Sequence, residues 1–125
     1  MSVEELYIAA TDETPEVCLS RLKNRSYISG RSLPENAFEF YSPLINWVNN
    51  HSPKIDSVFE IEFKFDYFNS SSGRYLFEML TQLEKNPKKT FIKIHWIVED
   101  GDDLMLEKGM ELKSLLDLNF EIMVI

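Results

Sequence analysis

The feature that most constrains the fold is a nine-residue stretch in which apolar and charged side chains alternate strictly. Odd positions from 59 to 67 carry Phe, Ile, Phe, Phe and Tyr, and the even positions between them carry Glu, Glu, Lys and Asp. A period of two is typical of a β-strand that buries one face. Apolar residues before and after this strand recur at the three- and four-residue spacing of helices. The chain is therefore predicted to combine a sheet with helices.

The first thirty residues contain three short apolar segments that we interpret as strands. They cover residues 6–10, 16–19 and 26–29, and Gly30 is predicted to end the third. Parallel neighbours need a connection of about a dozen residues or more, which these short intervals do not provide. The three strands are therefore predicted to form an antiparallel meander.

Three segments with helical spacing follow, and each is expected to turn its apolar residues toward the sheet. The apolar positions are Phe38, Tyr41, Ile45 and Val48 in the first, Leu76, Phe77, Leu80 and Leu83 in the second, and Met110 and Leu115 in the third. Pro43 interrupts the first helix, which predicts either a kink or a new helix start capped by Ser42. Trp47 lies on the adjoining face and is expected to seal this helix against the sheet.

Further strands are predicted at residues 91–98 and 120–125, and a helix precedes each of them. Helical crossovers join parallel neighbours, so the last three strands are expected to be parallel. The predicted fold class is α/β, with a mixed sheet made of an N-terminal antiparallel meander and three helix–strand units. A length of 125 residues suits one domain, and we expect a single domain over residues 1–125.

Charge and cysteine content exclude several classes of protein. The net charge of −8 argues against binding to nucleic acid or to an anionic membrane surface. The single cysteine, Cys18, excludes an internal disulfide and a cysteine-based zinc site, and we interpret it as a small core residue. The first six residues carry acids where a signal peptide needs positive charge. We therefore expect a cytoplasmic protein, in which the Asn-x-Ser matches at Asn24, Asn50 and Asn69 arise by chance.

The candidate functional site is a run of polar residues directly after the alternating strand. Asn69 is followed by Ser70, Ser71 and Ser72 at the start of the second helix. One such side chain satisfies the first turn of a helix, so three hydroxyls exceed what capping requires. One interpretation is a cap with neighbouring serines that the first turn tolerates. The other is a phosphoacceptor, because a phosphate at this end of a helix meets a favourable dipole.

Other polar groups point to structural roles. The acidic segment 99–103 lacks the spacing of a calcium loop, and we interpret it as a solvated turn that caps the third helix. His51 is placed in a polar loop and His95 on the wet face of a strand, and neither has partners at metal-ligand spacing. The sequence contains no glycine-rich phosphate loop and no nucleophile elbow. We therefore predict a protein without catalytic activity, metal or cofactor.

The chain resembles the SiaC-type regulatory phosphoproteins, a family similar in architecture to the STAS domains of anti-sigma-factor antagonists. The resemblance lies in two segments, GRSLPENAFEFYSPLINWV at residues 30–48 and FDYFNSSS at residues 65–72. It also includes the tryptophan-bearing helix and the terminal strand, and it covers essentially the whole chain. Two residues depart from the family pattern, since Ser70 stands where threonine is common and Pro43 lies in a helix expected to be unbroken.

The resemblance implies a bacterial partner-switching protein. A cognate Ser/Thr kinase would phosphorylate the hydroxyl directly after the motif asparagine, which is Ser70, and a PP2C-type phosphatase would remove the phosphate. The unphosphorylated form would bind and activate an effector, in the best-known branch a diguanylate cyclase. Unmodified Ser70 would cap the helix, and Asn69, Ser71 and Ser72 would lie in the partner-binding patch. The alternative is a STAS-like interaction scaffold without a phospho-switch, in which the serines are only caps.

Overall fold

The computed structural model describes residues 5–21 and 25–125. Asn24 and the first four residues, on which the interpretation of the N-terminus depended, lie outside these ranges. The strands are β1 Glu5–Ile8, β2 Glu16–Ser20, β3 Ser26–Ser32, β4 Phe59–Phe68, β5 Ile92–Val98 and β6 Asn119–Val124. The α-helices are α1 Ala37–His51, α2 Ser70–Glu84 and α3 Asp103–Leu115, with short 3-10 turns at Ser52–Lys54 and Lys89–Phe91.

The strands form one six-stranded sheet in the order β1-β2-β3-β4-β5-β6. The pairs β1–β2 and β2–β3 are antiparallel, and the pairs β3–β4, β4–β5 and β5–β6 are parallel. The predicted α/β fold with an antiparallel meander and parallel crossovers is confirmed. Each parallel crossover carries one helix and steps in the same direction across the sheet. Right-handed crossovers of this kind place the three helices on one face.

The hydrophobic core lies between the helices and that face of the sheet. Fully buried aliphatic and aromatic residues fill it from both sides, including Ile61, Phe63, Ile94, Tyr41, Leu44, Leu76 and Leu80. Trp96 stands near its centre, stacked on Phe63 and Phe120, with its ring N–H donating to the carbonyl of Met105 at 2.9 Å. Cys18 is buried, as predicted.

The alternation of β4 changes phase near the end of the strand. Gly30 pairs with Phe65 and Arg31 with Tyr67, so Asp66 is an extra residue that bulges from the β3–β4 ladder. A one-residue slip moves all later side chains to the opposite face. Tyr67, predicted on the core face, is therefore 37% exposed, and Phe68 is buried instead. The prediction that Gly30 ends β3 was also wrong, because β3 continues to Ser32.

The new helix start predicted at Ser42 and the core position predicted for Phe38 were both wrong, whereas the alternative of a kink at Pro43 stays a prediction. The first helix runs as one element through Pro43, and the side chain of Asn36 caps it by accepting from the Glu39 N–H at 3.0 Å. Ser42 does not start a new helix, since its hydroxyl donates to the carbonyl of Phe38 within the same helix. Phe38 was also assigned to the core face wrongly, because it is 64% exposed.

The apolar face of the third helix was assigned to the wrong residues. Met110 and Leu115 are 57% and 58% exposed, and α3 instead buries Met105, Gly109 and Leu112. A Cβ on Gly109 would lie 2.4 Å from the Trp96 ring. The glycine lets α3 approach the sheet on that side, which turns Met110 and Leu115 outward.

His51 does not lie in a polar loop, as was predicted. It is the last residue of α1, it is buried, and its ring stacks on Trp47 with centroids 4.6 Å apart. Trp47 itself is buried against the sheet, where its ring stacks on Phe59, so its predicted sealing role is confirmed. None of the helices in the described part of the chain is both long enough and apolar enough to cross a membrane.

Candidate functional site

The candidate site lies where the carboxyl end of β4 meets the first turn of α2. Asn69 joins the two elements and is held at three points. Its backbone N–H donates to the carbonyl of Ser32 at 3.2 Å, its side-chain oxygen accepts from the Ser72 N–H at 2.9 Å, and its carbonyl accepts from the Gly73 N–H at 3.0 Å. Asn69 is therefore the N-cap of α2, which satisfies an N–H of the first turn.

The three serines after Asn69 have different environments. Ser70 and Ser71 are exposed at the first two positions of the helix, whereas Ser72 is fully buried. The expectation that unmodified Ser70 caps the helix is wrong, because the side chain of Asn69 occupies that role. Ser72 faces the core, so its hydroxyl supports the first turn of α2 from below.

A buried chain of hydroxyl groups fixes this first turn. The Ser32 hydroxyl donates to Ser72 Oγ at 2.9 Å, and Ser72 Oγ donates to the Ser32 carbonyl at 3.0 Å. Tyr41 lies with its hydroxyl 2.5 Å from Ser32 Oγ and must be the donor there, since the Ser32 proton is already directed at Ser72. The chain links α1, β3 and α2, and none of its members was identified from the sequence as part of a network.

The environment of Tyr41 keeps its phenol protonated. Burial raises the pKa of Tyr41 to about 12, and the nearby hydroxyls of Ser32 and Ser72 oppose that effect only in part. The charged phenolate would lose its hydration in the core, whereas the neutral phenol can donate. The hydroxyl chain therefore keeps its donor at neutral pH.

A cavity of about 380 Å³ opens beside Ser70 between α2 and α3, and we call it the α2–α3 cavity. Its apolar lining consists of Phe68, Phe77, Leu112 and Leu115. Gly73 leaves space for the ring of Phe68, because a Cβ on Gly73 would lie 3.0 Å from Phe68 Cε1. The phase change at Asp66 is what places Phe68 here, so the bulge in β4 contributes directly to the site.

The polar lining of the α2–α3 cavity is rich in cations. It consists of Ser70, Arg74, Lys108 and Glu111. The ammonium of Lys108 lies 4.8 Å from the centroid of the Phe68 ring, a cation–π contact. Two cations and one carboxylate give the lining a net positive charge, although the whole chain has a net charge of −8. Arg74 follows Ser70 by four residues, a helical spacing that could have been recognised in the sequence.

The opposite flank of the α2 N-terminus is aromatic. The exposed ring of Phe38 on α1 packs edge-on against Tyr75 on α2, with centroids 6.2 Å apart. Tyr75 in turn stacks on Tyr41, the donor of the hydroxyl chain. Ser70 and Ser71 therefore lie between an aromatic flank and a positive cavity.

The remaining polar candidates have structural contacts. Asp102 caps α3 by accepting from the Met105 N–H at 3.2 Å, which confirms the interpretation of the acidic turn as a helix cap. His95 lies on the outer face of the sheet, with Nε2 3.0 Å from a carboxylate oxygen of Glu60. Within residues 5–21 and 25–125, no three His, Cys, Asp or Glu side chains are grouped closely enough to hold a metal ion.

Comparison with known proteins identifies a family and a fold. The family model of the SiaC family regulatory phosphoprotein matches residues 8–125. An uncharacterised protein of Pseudomonas aeruginosa strain UCBPP-PA14 is 28% identical over 83 residues, which are 66% of this chain and 66% of that protein. The match therefore spans just under two thirds of the relative's length.

Two solved structures from Pseudomonas aeruginosa are similar to the chain over nearly its whole length. SiaC has 22% identical residues and a TM-score of 0.87, with 98% of this chain and 100% of that chain covered. A chain in the crystal structure of the diguanylate cyclase SiaD in complex with its activator SiaC has 23% identity and a TM-score of 0.87, covering 96% of this chain and 99% of that one. At this identity the likeness shows that the fold is shared.

Proposed function

Since the chain belongs to the SiaC family of regulatory phosphoproteins, we propose that it is a non-catalytic cytoplasmic regulator controlled by reversible phosphorylation of Ser70. A Ser/Thr kinase adds the phosphate, a PP2C-type phosphatase removes it, and the unphosphorylated form binds and activates an effector. The observation that carries the proposal is the position of Ser70, which is exposed at the first residue of α2 directly after a cap supplied by Asn69.

The choice of Ser70 follows from what each serine does in the fold. Ser72 is buried in the hydroxyl chain and is inaccessible to a kinase. Ser71 is exposed but does not line the α2–α3 cavity, whereas Ser70 does. Ser70 is also the hydroxyl that directly follows the motif asparagine. It can accept a phosphate without loss of the cap, because Asn69 makes the capping hydrogen bond.

Phosphorylation of Ser70 would change binding through charge and desolvation. The phosphate adds nearly two negative charges at neutral pH, and a partner that covers Ser70 would have to remove water from them. The first turn of α2 tolerates an anion, so the fold persists while the surface changes. Loss of a central contact of this kind costs a few kcal/mol, which is about two to three decades in affinity.

The proposed effector is a diguanylate cyclase. The related SiaC is described as the activator of the diguanylate cyclase SiaD, and this chain shares its fold. The exposed aromatic flank formed by Phe38 and Tyr75 supports a protein-binding role, because aromatic residues are enriched at interface cores. We propose that Asn69, Ser70 and Ser71 lie at the centre of this interface and that Ser72 holds them in place from the core.

The test is a comparison of three variants against a candidate diguanylate cyclase from the source organism. Ser70→Ala removes only a neutral hydroxyl and is expected to stay competent to bind and activate the cyclase, whereas Ser70→Asp adds a charge and is expected to bind about 100-fold more weakly. Ser57→Asp is the matched control, since Ser57 is an exposed serine just before the opposite end of β4. Equal affinities of Ser70→Ala and Ser70→Asp would reject the switch and favour an unswitched scaffold.

A further inference from the structure

We propose that the α2–α3 cavity is the place where a phosphate on Ser70 is held, with Arg74 from α2 and Lys108 from α3 as its two ligands. This inference rests on the proposed phosphorylation of Ser70 and adds where the phosphate goes and which side chains receive it. The juxtaposition that carries it is the presence of the acceptor hydroxyl and two cations from different helices in the lining of one cavity.

Arg74 is positioned to receive the phosphate from the same helix. It lies four residues after Ser70, and residues at this spacing are neighbours on a helix surface. Its planar guanidinium can donate two parallel hydrogen bonds to phosphate oxygens. Among the residues that the structure describes, Arg74 forms no ion pair with a carboxylate, so a phosphate would not have to displace one.

Lys108 approaches the cavity from the facing helix. Its ammonium lies over the ring of Phe68 at 4.8 Å, and its side chain is half-buried at the wall of the cavity. A cation–π contact is weaker than a charge-assisted hydrogen bond to a phosphate dianion. On phosphorylation the ammonium is therefore expected to move from the Phe68 ring to the phosphate. Ser70 lines the same cavity as Lys108, so the phosphate would be on the side of α2 that faces α3.

Glu111 is the carboxylate that the lining contributes, and it opposes phosphate binding. With Arg74 and Lys108 the lining still carries a net charge of +1 before modification, whereas elsewhere acids predominate on this chain. Phosphate binding would neutralise both cations and fill the cavity mouth. Phosphorylation of Ser70 would therefore block the cations and the apolar lining together, so a partner that binds either of them would lose its contact with the cavity.

The test uses the full chain with phosphoserine incorporated at position 70 by amber suppression, so that no kinase is required. Phosphorus NMR then follows the second ionisation of the phosphate, which has a pKa near 6 in a free phosphoserine. Two nearby cations favour the dianion, so we expect this pKa to lie about one unit lower in the native chain than in the Arg74→Gln/Lys108→Gln variant. Each single substitution is expected to give part of the shift.

The matched control is Lys113→Gln, which removes the same charge from an exposed position of α3 outside the cavity. It should leave the phosphate pKa at its native value, and Arg74→Lys should keep most of the shift. The same phosphate pKa in the native chain and in the double variant would overturn the inference. So would a shift that Lys113→Gln reduces as much as Lys108→Gln does, because it would come from the general field of the protein.

This readout needs no partner protein, so it separates the two proposals. A phosphate pKa that is lower in the native chain than in the double variant, together with unchanged cyclase binding by the phosphorylated chain, would support the cavity and reject the switch. The same phosphate pKa in both, together with lost cyclase binding, would reject the cavity and leave the switch in place. If the double variant fails to fold, the two single variants still decide the question, since either one must raise the phosphate pKa.

Discussion

Substitution of Ser32 tests whether the buried hydroxyl chain holds the first turn of α2. Ser32→Ala removes the acceptor for the Tyr41 hydroxyl, whereas Ser72 keeps the Ser32 carbonyl as its own acceptor. One phenol donor is then left without a partner at a fully buried position. An unsatisfied buried donor costs about 1–3 kcal/mol, so we expect the free energy of unfolding to fall by about 2 kcal/mol.

Tyr41→Phe removes only the phenolic hydroxyl and keeps the ring, and it is expected to cost less. The substitution deletes the donor at the head of the chain, and Ser32 still donates to Ser72. It therefore removes one hydrogen bond and leaves no orphaned donor, at about 1 kcal/mol. The double variant Ser32→Ala/Tyr41→Phe should be no less stable than Ser32→Ala alone, because the orphaned phenol has been removed as well.

Urea unfolding followed by tryptophan fluorescence measures these differences. With an m-value of about 2 kcal/mol per M, Ser32→Ala should lower the midpoint by about 1 M at constant m. Ser42→Ala is the control, since the Ser42 hydroxyl donates only within α1 and its loss should cost less than about 0.5 kcal/mol. The reasoning is refuted if Tyr41→Phe costs more than Ser32→Ala, or if the two losses simply add in the double variant.

Three further predictions concern packing, pH and capping. Gly109→Ala should lower the free energy of unfolding by about 2 kcal/mol. Overpacking against the buried Trp96 ring outweighs the gain of about 1 kcal/mol in helix propensity. A higher melting temperature of the variant would contradict this expectation. The folded-state pKa of Tyr41 lies above its unfolded value of 10.0. The stability that the protonated Tyr41 side chain gives the folded state is therefore fully present below pH 10 and is lost as pH rises toward 12. Urea midpoints measured from pH 8 to 11 should therefore fall more steeply for the native chain than for Tyr41→Phe, and equal slopes would contradict the assignment. Asn69→Ala should cost about 1 kcal/mol and Ser70→Ala less than about 0.5 kcal/mol in thermal unfolding, whereas equal losses would show that Ser70 contributes to the cap.

The architecture could be predicted from the sequence because two local signals determine it. The alternation in β4 identifies a half-buried strand, and the length of each connection decides between antiparallel and parallel pairing. The phase change at Asp66 could not be predicted in the same way. It depends on how β4 pairs with β3, where Arg31 faces Tyr67, and that register is a property of two distant segments.

The buried faces of the first and third helices were predicted wrongly because apolar spacing does not identify which face of a helix is buried. Phe38, Met110 and Leu115 fit a helical pattern, yet all are exposed. The face of α3 that packs on the sheet is set by Gly109, since a side chain there would overlap the Trp96 ring. A glycine contributes nothing to an apolar periodicity, so this contact gave no signal in the sequence.

The polar run after β4 was recognised in the sequence as the candidate site, but the contacts that its residues make in the fold required the structure. Asn and Ser are both good helix caps, so residue type does not decide which of them caps α2. Because β4 ends at Phe68 and α2 begins at Ser70, Asn69 is the residue between them and fills this role. Ser72 is buried because Ser32 and Tyr41 offer it a polar partner network from other elements. Lys108 enters the α2–α3 cavity from a helix more than thirty residues away, a proximity that residue spacing does not reveal.

The central claim is that Ser70 carries a regulatory phosphate, and the most direct test is to look for it. The protein would be purified from its native host, where the proposed kinase would act on it, and its intact mass measured before phosphosite mapping. The account predicts a population heavier by one phosphate, with the modification on Ser70. A chain that stays unmodified across growth conditions while the kinase is expressed, or one that carries its phosphate on Ser71 alone, would contradict it.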